Sequence, residues 1–599
     1  MAWLQRLKGD FVYLRHALRA LRMTMPIARQ PTRTLPRIIG ELAERFGDAP
    51  ALLSDRETFS YRELSERANR YARWALAQGL AKGDTVCLLM PNRPEYMAVW
   101  LGITQVGGVV ALINTNLTGT SLAYCIDVVA PKHVIIADTL LETYQSAKPH
   151  LTNKATCWTH GVSSASFSRI DSELEKLSSA PLAPSELPPL TIEDHALYIY
   201  TSGTTGMPKA ANVNHYRLML ASFGFAGMMN TQSTDRIYNC LPMYHTAGGL
   251  VATGALLVRG GSVAIRERFS ANEFWNDISR WDCTIFQYIG ELCRYLLNTP
   301  PHPREAQHRL RLACGNGLRP DIWMDFKNRF QIPQILEFYS ATEGNVSIFN
   351  LEGRLGAIGR VPWFLSSRFP VRLVKFDFQT EQPMRDSSGF CVACATGEVG
   401  EMIGHIVNDF TRPANRFEGY ANKAESEKKI LRDVFEKGDA WFRTGDLMRK
   451  DEDDFFYFVD RIGDTFRWKG ENVSTSEVSE AISAFPGIAE ATVYGVSIPG
   501  KDGKAGMAAI VSHGPLDLAK LRAHLIEHLP DYAQPLFLRI RGELETTSTF
   551  KQKKTDLVQQ GFDPASCSDA IYFDDPSAHA FVPIDAALYR RIMASEIRI

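Results

Sequence analysis

The densest chemistry in the chain lies in Tyr198-Ile-Tyr-Thr-Ser-Gly-Thr-Thr-Gly-Met-Pro-Lys209. Residues Ala196 to Tyr200 read as a buried strand, and the loop that follows carries Gly203 and Gly206, which let the backbone take positive φ and approach an anion closely. Around them stand four hydroxyl residues, Thr201, Ser202, Thr204 and Thr205, and one cation, Lys209. Neutral donors with a lysine suit a polyphosphate. The spacing is not that of a Walker A loop, since two residues rather than four separate the glycines and Ala210 follows the lysine.

Four further segments accompany it. Gly315-Asn-Gly-Leu-Arg-Pro320 is a glycine turn after the strand Arg311 to Cys314, compatible with an adenine edge and equally with a plain strand-to-helix turn. Tyr339-Ser-Ala-Thr-Glu343 follows the mainly apolar run Ile335 to Phe338, which includes Glu337, and ends in a carboxylate. Arg443-Thr-Gly-Asp446 sets an acid in a tight turn, where bidentate acceptance from a ribose diol is natural. Asp460 to Ser474 combines charges with two glycines where the composition changes character. Each alone fits a turn or a salt bridge; their order and spacing together point to one nucleotide site.

The elements that must hold these groups follow an α/β rhythm. Tyr61 onwards reads as an amphipathic helix, Asp84 to Met90 as a buried strand, and helix and strand signals alternate through Ala137, the pattern of parallel layers. Ser163 to Pro189 reads as a Ser/Pro-rich surface linker, after which a second α/β series runs through Ile289. From Arg461 the chain takes on the composition of a small α+β unit, with a helix near Ser476 to Ala484 and strands at Ala491 to Val496 and Gly506 to Ser512.

At 599 residues the chain exceeds one core, and 66 basic against 67 acidic residues give no global signal for nucleic acid. Ten scattered cysteines, with Cys391 and Cys394 the one Cys-x-x-Cys pair, fit reduced thiols in a cytoplasmic setting rather than a zinc or redox site. No apolar run reaches spanning length, and no signal peptide is expected at the start. Leu4, Leu7, Phe11, Leu14, Leu18 and Leu21 instead recur at helical steps amid Arg and Lys, predicting a basic amphipathic helix that ends near Pro26. It suits either a helix packed on the main domain or a peripheral contact with anionic lipid.

With these motifs in order, the chain resembles the adenylate-forming superfamily of acyl-CoA synthetases, luciferases and peptide-synthetase adenylation domains, from about residue 35 to the end. Asp464 to Thr475, Gln287 to Leu297 and Thr549-Phe-Lys-Gln-Lys-Lys554 are similar to its very-long-chain acyl-CoA synthetase and fatty-acid transport protein branch. After the basic N-terminal helix over 1–30, the resemblance implies an α/β fold: an adenylation domain of stacked sheets with a β-barrel-like subdomain over 31–459, and a small mobile α+β domain over 460–599. It implies ATP, Mg²⁺ and coenzyme A as reactants or cofactors, and a fatty acid activated as acyl-AMP and passed to CoA. A bulky carboxylate such as a bile acid, or carriage of fatty acids across a membrane, stand as alternatives, and a homodimer is a further expectation.

Carried over by motif position, Thr201, Ser202, Gly203, Thr204, Thr205, Gly206 and Lys209 would wrap the phosphates, and Thr204 with Glu343 would hold the metal. Gly315, Asn316, Gly317, Tyr339, Ser340, Ala341 and Thr342 would frame adenine, while Asp446 and Arg461 would take the ribose. Lys551, Glu343 and His245 would form the catalytic set, with Asp460 the hinge. Trp468, Lys469, Gly470 and Glu471 would meet CoA, and Tyr244, His245, Tyr288, Ile289 and Gly290 would line the acyl pocket. Two departures are noted: Phe550 stands where many relatives have glycine, and Ser340 replaces another.

Overall fold

The protein is described here by a computed structural model covering residues 2–161, 167–201, 207–378, 380–407, 415–501, 503–547 and 552–597. Runs such as Val86-Cys-Leu-Leu89 and Val134-Ile-Ile136 are apolar on both faces, which suits strands covered on both sides. They form a first sheet in the order Ser168–Arg169, Thr156–His160, His133–Ala137, Thr85–Leu89, Val109–Leu112, His195–Thr201 and Lys209–Asn214. Its neighbours are parallel except the last pair, where Thr201 faces Lys209 across an antiparallel ladder.

The second sheet begins with parallel strands Pro50–Leu53, Ser262–Ile265, Arg236–Asn239, Ile285–Ile289, Leu312–Asn316 and Gln334–Ser340. It then turns antiparallel through Ser347–Asn350, Gly359–Arg360, Phe455–Arg461, Ala440–Lys450, Val399–His405 and Val371–Asp377. These antiparallel strands, the part of the large domain for which the resemblance implies a barrel-like subdomain, are joined to the parallel strands by one hydrogen-bonded path. One core joins the two sheets, drawing Leu197 and Ile199 from the first, Ile285 and Leu336 from the second, and the helices between them.

A separate core begins at Phe466, around a mixed sheet of Ile488–Val496, Ala505–Ser512, Phe537–Arg541, Ala570–Asp575 and Ala580–Pro583. The Thr475–Ser483 helix opens on Ser474, whose hydroxyl accepts the Glu477 N–H and satisfies one of the free donors of the first turn.

Two local expectations need correction. The N-terminal helix runs Ala2–Arg29 with Pro26 inside it, at an exposed position, so it extends one turn past the proline. The segment read as a surface linker contains the helix Ile170–Leu174 with both end residues fully buried, because its few apolar side chains dock on the main core.

Candidate active site

The polar end of the site is built where the two sheets meet. The helix His215–Met229 follows the Lys209–Asn214 strand directly, capped by Asn214, whose side chain accepts the Arg217 N–H at 2.9 Å. This cap aims the Arg217 guanidinium at the Glu343 loop, where it donates to the carbonyls of Thr342 at 2.8 Å and Gly344 at 2.6 Å. Burial pulls the Arg217 pKa down, with Glu418 and Glu343 opposing. The residue was not singled out from the sequence; its place three positions after a helix cap was the available signal.

Glu343 accepts the Tyr420 hydroxyl at 2.7 Å, and Lys209 pairs with Glu425 at 2.6 Å while lying 5.8 Å from the Tyr420 ring centre. The hydrogen bond from Lys209, with a second from Lys428, draws the Glu425 carboxyl down to about 2. Lys209 therefore has an anionic partner that a phosphate would have to replace. Ser202, Gly203, Thr204, Thr205, Gly206 and Lys551 lie outside the described residues.

Tyr339 donates to Asp446 at 2.5 Å, and Arg461, opposite Asp446 on the neighbouring strand, lies 3.7 Å from the same carboxylate. Burial raises the Tyr339 phenol strongly. Ser340, Ala341, Thr342, Asn316 and Gly317 line the cavity beside them. Gly317 holds φ at +80°, a conformation that favours glycine, and Gly290 packs so closely that an added Cβ would sit 1.7 Å from the Gly317 carbonyl oxygen. Beneath this turn Glu337 is fully buried, accepting the Leu318 N–H at 2.9 Å and the Tyr288 hydroxyl; burial pushes its carboxyl up to about 8.

The acyl-pocket expectations are corrected accordingly. Tyr288 is completely buried among Phe286 and Phe326 with its hydroxyl committed to Glu337, Gly290 serves the close approach of two turns, and Tyr244 sits in the main core. Side chains alternate along a strand, so Tyr288 and Ile289 face opposite ways; Ile289 and His245 line the cavity. The apolar arm that sequence reasoning missed lies between the N-terminal helix and the His215–Met229 helix, lined by Leu18, Leu21, Leu220, Phe225, Met228 and Phe338. Nucleotide end and apolar arm form one cavity of about 1380 Å³.

At the junction, Asp460 accepts the Thr475 N–H at 2.7 Å and the Arg461 N–H at 2.9 Å, tying the last strand of the second sheet to the first helix of the C-terminal unit. Burial raises its carboxyl. Lys554 occupies the same junction, 3.2 Å from Asp464, whereas Lys553 faces Glu545 at 3.5 Å. In the hairpin Phe466–Val473 the residues Lys469, Gly470 and Glu471 are exposed at the tip. Trp468 is corrected from a CoA contact to a core residue: it is 4% exposed within the C-terminal cluster.

These features bring the residues expected to bind a nucleotide together between two sheets, beside an apolar channel. The family description "AMP-binding enzyme" matches residues 40–398, and "AMP-binding enzyme C-terminal domain" matches residues 477–551. The chain belongs to the AMP-binding enzyme family. It is 41% identical to long-chain fatty acid transport protein 6 of Mus musculus over 92% of this chain and 88% of that one. It is 40% identical to long-chain fatty acid transport protein 1 of Homo sapiens over 93% of this chain and 87% of that one. In fold it is similar to a benzoate CoA ligase from Burkholderia xenovorans LB400, with a TM-score of 0.73 at 20% identity over 88% of this chain and 99% of that one.

Proposed function

We propose that the chain is an ATP-dependent acyl-CoA ligase for long-chain or very-long-chain fatty acids, converting acid, ATP and CoA into acyl-CoA, AMP and pyrophosphate. The observation that carries this reading is the continuity of one cavity, polar around Tyr339, Glu343 and Asp446 and apolar between the two helices, so that a carboxylate held by its alkyl tail meets the α-phosphate. The fatty acid transport proteins to which it is similar support the long-chain assignment.

A carboxylate oxygen would attack the α-phosphorus and expel pyrophosphate; the CoA thiolate would then attack the acyl carbon and expel AMP. Asp446 and Arg461 hold the ribose, the Tyr339 to Thr342 segment frames adenine, and Lys209 exchanges Glu425 for phosphate. Lys551 meets the charge that builds on the α-phosphate. Glu343, an anionic group at the polar end of the cavity, fits a hard cation that shares its shell with substrate phosphates. Bound Mg²⁺ would offset the phosphate charge there, with Thr204 as its second protein ligand. Residues 31–459 act as the adenylation domain, and 460–599 rotate about Asp460 between the half-reactions, bringing Lys469 to Glu471 toward CoA.

The test is a panel of acids from hexanoate through very long chains to a bile acid, assayed for CoA-dependent AMP release. Release that rises with alkyl length supports the assignment. A preference for the bile acid would transfer the site to bulky carboxylates, and no release with any acid would refute the ligase.

A further inference from the structure

The carboxylate of Asp460 is gripped from the C-terminal side of the junction. Besides the Thr475 and Arg461 N–H groups, it accepts the Thr465 hydroxyl at 3.2 Å and the Thr475 hydroxyl at 3.1 Å. The helix Thr475–Ser483 is tied to the same strand a second time, because the Ser474 hydroxyl donates to the Val459 carbonyl at 3.0 Å. Lys554 completes the set. Its ammonium donates to the Thr475 hydroxyl oxygen at 3.0 Å and to Asp464 at 3.2 Å. A cation from the end of the Thr549 to Lys554 segment thus bridges the partners of two nearby carboxylates, Asp460 and Asp464.

Asp460 is 2% exposed, and burial raises its carboxyl; the Lys554 charge is the largest influence opposing that rise, ahead of the backbone donors, whereas Asp464 adds to it. An isolated surface ion pair contributes little, but this ammonium serves a buried acid through a shared hydroxyl. It is also delivered by a firm element. Lys554 caps the helix Thr555–Gln560, whose Leu557 is buried in the C-terminal core, and the preceding Lys553 N–H donates to the Glu545 carbonyl at 2.8 Å. In the same arrangement the hairpin tip Lys469 to Glu471 is exposed and contributes none of the residues that line the cavity. The hairpin expected to meet CoA therefore stands outside, which suits the first half-reaction rather than the second.

We propose that Lys554 is a positioning residue that latches the C-terminal unit in the arrangement serving acyl-adenylate formation, and that it releases Thr475 and Asp464 when the unit turns about Asp460 toward CoA. The inference rests on the ligase reading and adds the device that holds one of its two arrangements. A turn at Asp460 moves Val459 relative to Ser474, so the bonds across the junction cannot all survive it. Lys554 acts through Asp460 and Thr475 and touches no reacting atom. Lys551 stands three residues earlier in sequence, so the latch couples the segment expected to serve the first half-reaction to the hinge itself.

The test uses the full chain with Lys554→Met, Lys554→Arg, Asp464→Asn and the Lys554→Met, Asp464→Asn double variant. Exchange of labelled pyrophosphate into ATP with palmitate reads the first half-reaction; CoA-dependent AMP release from supplied palmitoyl-AMP reads the second. Lys554→Met should slow exchange about tenfold, the loss of a charge-assisted bond, with AMP release unchanged or faster. Lys554→Arg should keep most of the exchange rate, and the double variant should lose less than the product of the two single effects, because both changes remove one interaction. Tryptic cleavage after Arg461, Arg467 and Lys469 reads opening of the junction without any chemistry, and should quicken about tenfold in Lys554→Met but not in Lys554→Arg. Equal slowing of both half-reactions, unchanged exchange, or unchanged cleavage in Lys554→Met would overturn the latch. If the wild type performs neither half-reaction the ligase reading fails, and cleavage alone then decides whether Lys554 closes the junction.

Discussion

The Tyr339 hydroxyl meets the Asp446 carboxylate at 2.5 Å, joining the last parallel strand of the second sheet to its antiparallel half. The pair fixes the ring and the acid relative to each other before a nucleotide arrives, which reduces the ordering cost of binding. Replacing Asp446 with Ala is expected to lower kcat/KM for ATP by about 10- to 100-fold, the loss of a charge-assisted acceptor. Tyr339→Phe keeps the ring and loses only the tether, so its effect should be smaller. Unchanged ATP kinetics in Asp446→Ala would remove that residue from the ribose.

Lys551 holds the family's catalytic-lysine position by motif in the Thr549 to Lys554 segment; Lys554 pairs with Asp464 and Lys553 with Glu545. Lys551→Ala should slow acyl-adenylate formation by about 10²- to 10³-fold, as expected for a charge aimed at a developing anion. Thioester formation from supplied acyl-AMP should persist. Equal loss of both half-reactions would count against the assignment.

Gly224 leaves open space facing Thr24 between the two helices, and under the proposed function that space would take the alkyl tail. Gly224→Leu is predicted to cut turnover of palmitate and longer acids by about tenfold while sparing octanoate, a steric cost like that of overpacking. An unaltered chain-length profile would place the tail elsewhere.

Glu337 supplies a pH test of the Gly315 to Gly317 turn above it. Its folded pKa is raised from 4.5 to about 8, so across that window the unfolded chain has released the proton while the folded chain still holds it. The unfolded state then binds fewer protons, and this group's contribution to stability falls as pH rises through the window. Glu337→Gln is neutral in both states and escapes the effect. Its melting temperature relative to wild type should climb by about 2 °C or more between roughly pH 5 and pH 8. Parallel pH slopes would show that Glu337 is not held neutral.

Some of this site was legible before the fold was known. The Thr201 to Lys209 loop, the Tyr339 to Glu343 carboxylate and Asp446 announce themselves because anion and diol recognition use few residue types at short spacing. Arg217 and Tyr420 escaped notice because each is an ordinary residue whose role comes from a partner 125 or 77 positions away in sequence. Tyr288 was misplaced for a different reason: the strand Ile285–Ile289 is buried on both faces and carries large apolar or aromatic side chains at every position but Gln287, so its pattern does not say which face turns to the cavity.

The sequence by itself determined the nucleotide chemistry, the α/β layering and the existence of a basic amphipathic N-terminal helix, since these depend on local residue type and periodicity. Only the tertiary structure decided what that helix does. Its contact with the His215–Met229 helix, made close by Ala20 and Gly227 and open by Gly224, turns an apolar stripe into the rim of the cavity. Such a rim depends on the distance between two helix axes, a quantity that no residue pattern along the chain encodes.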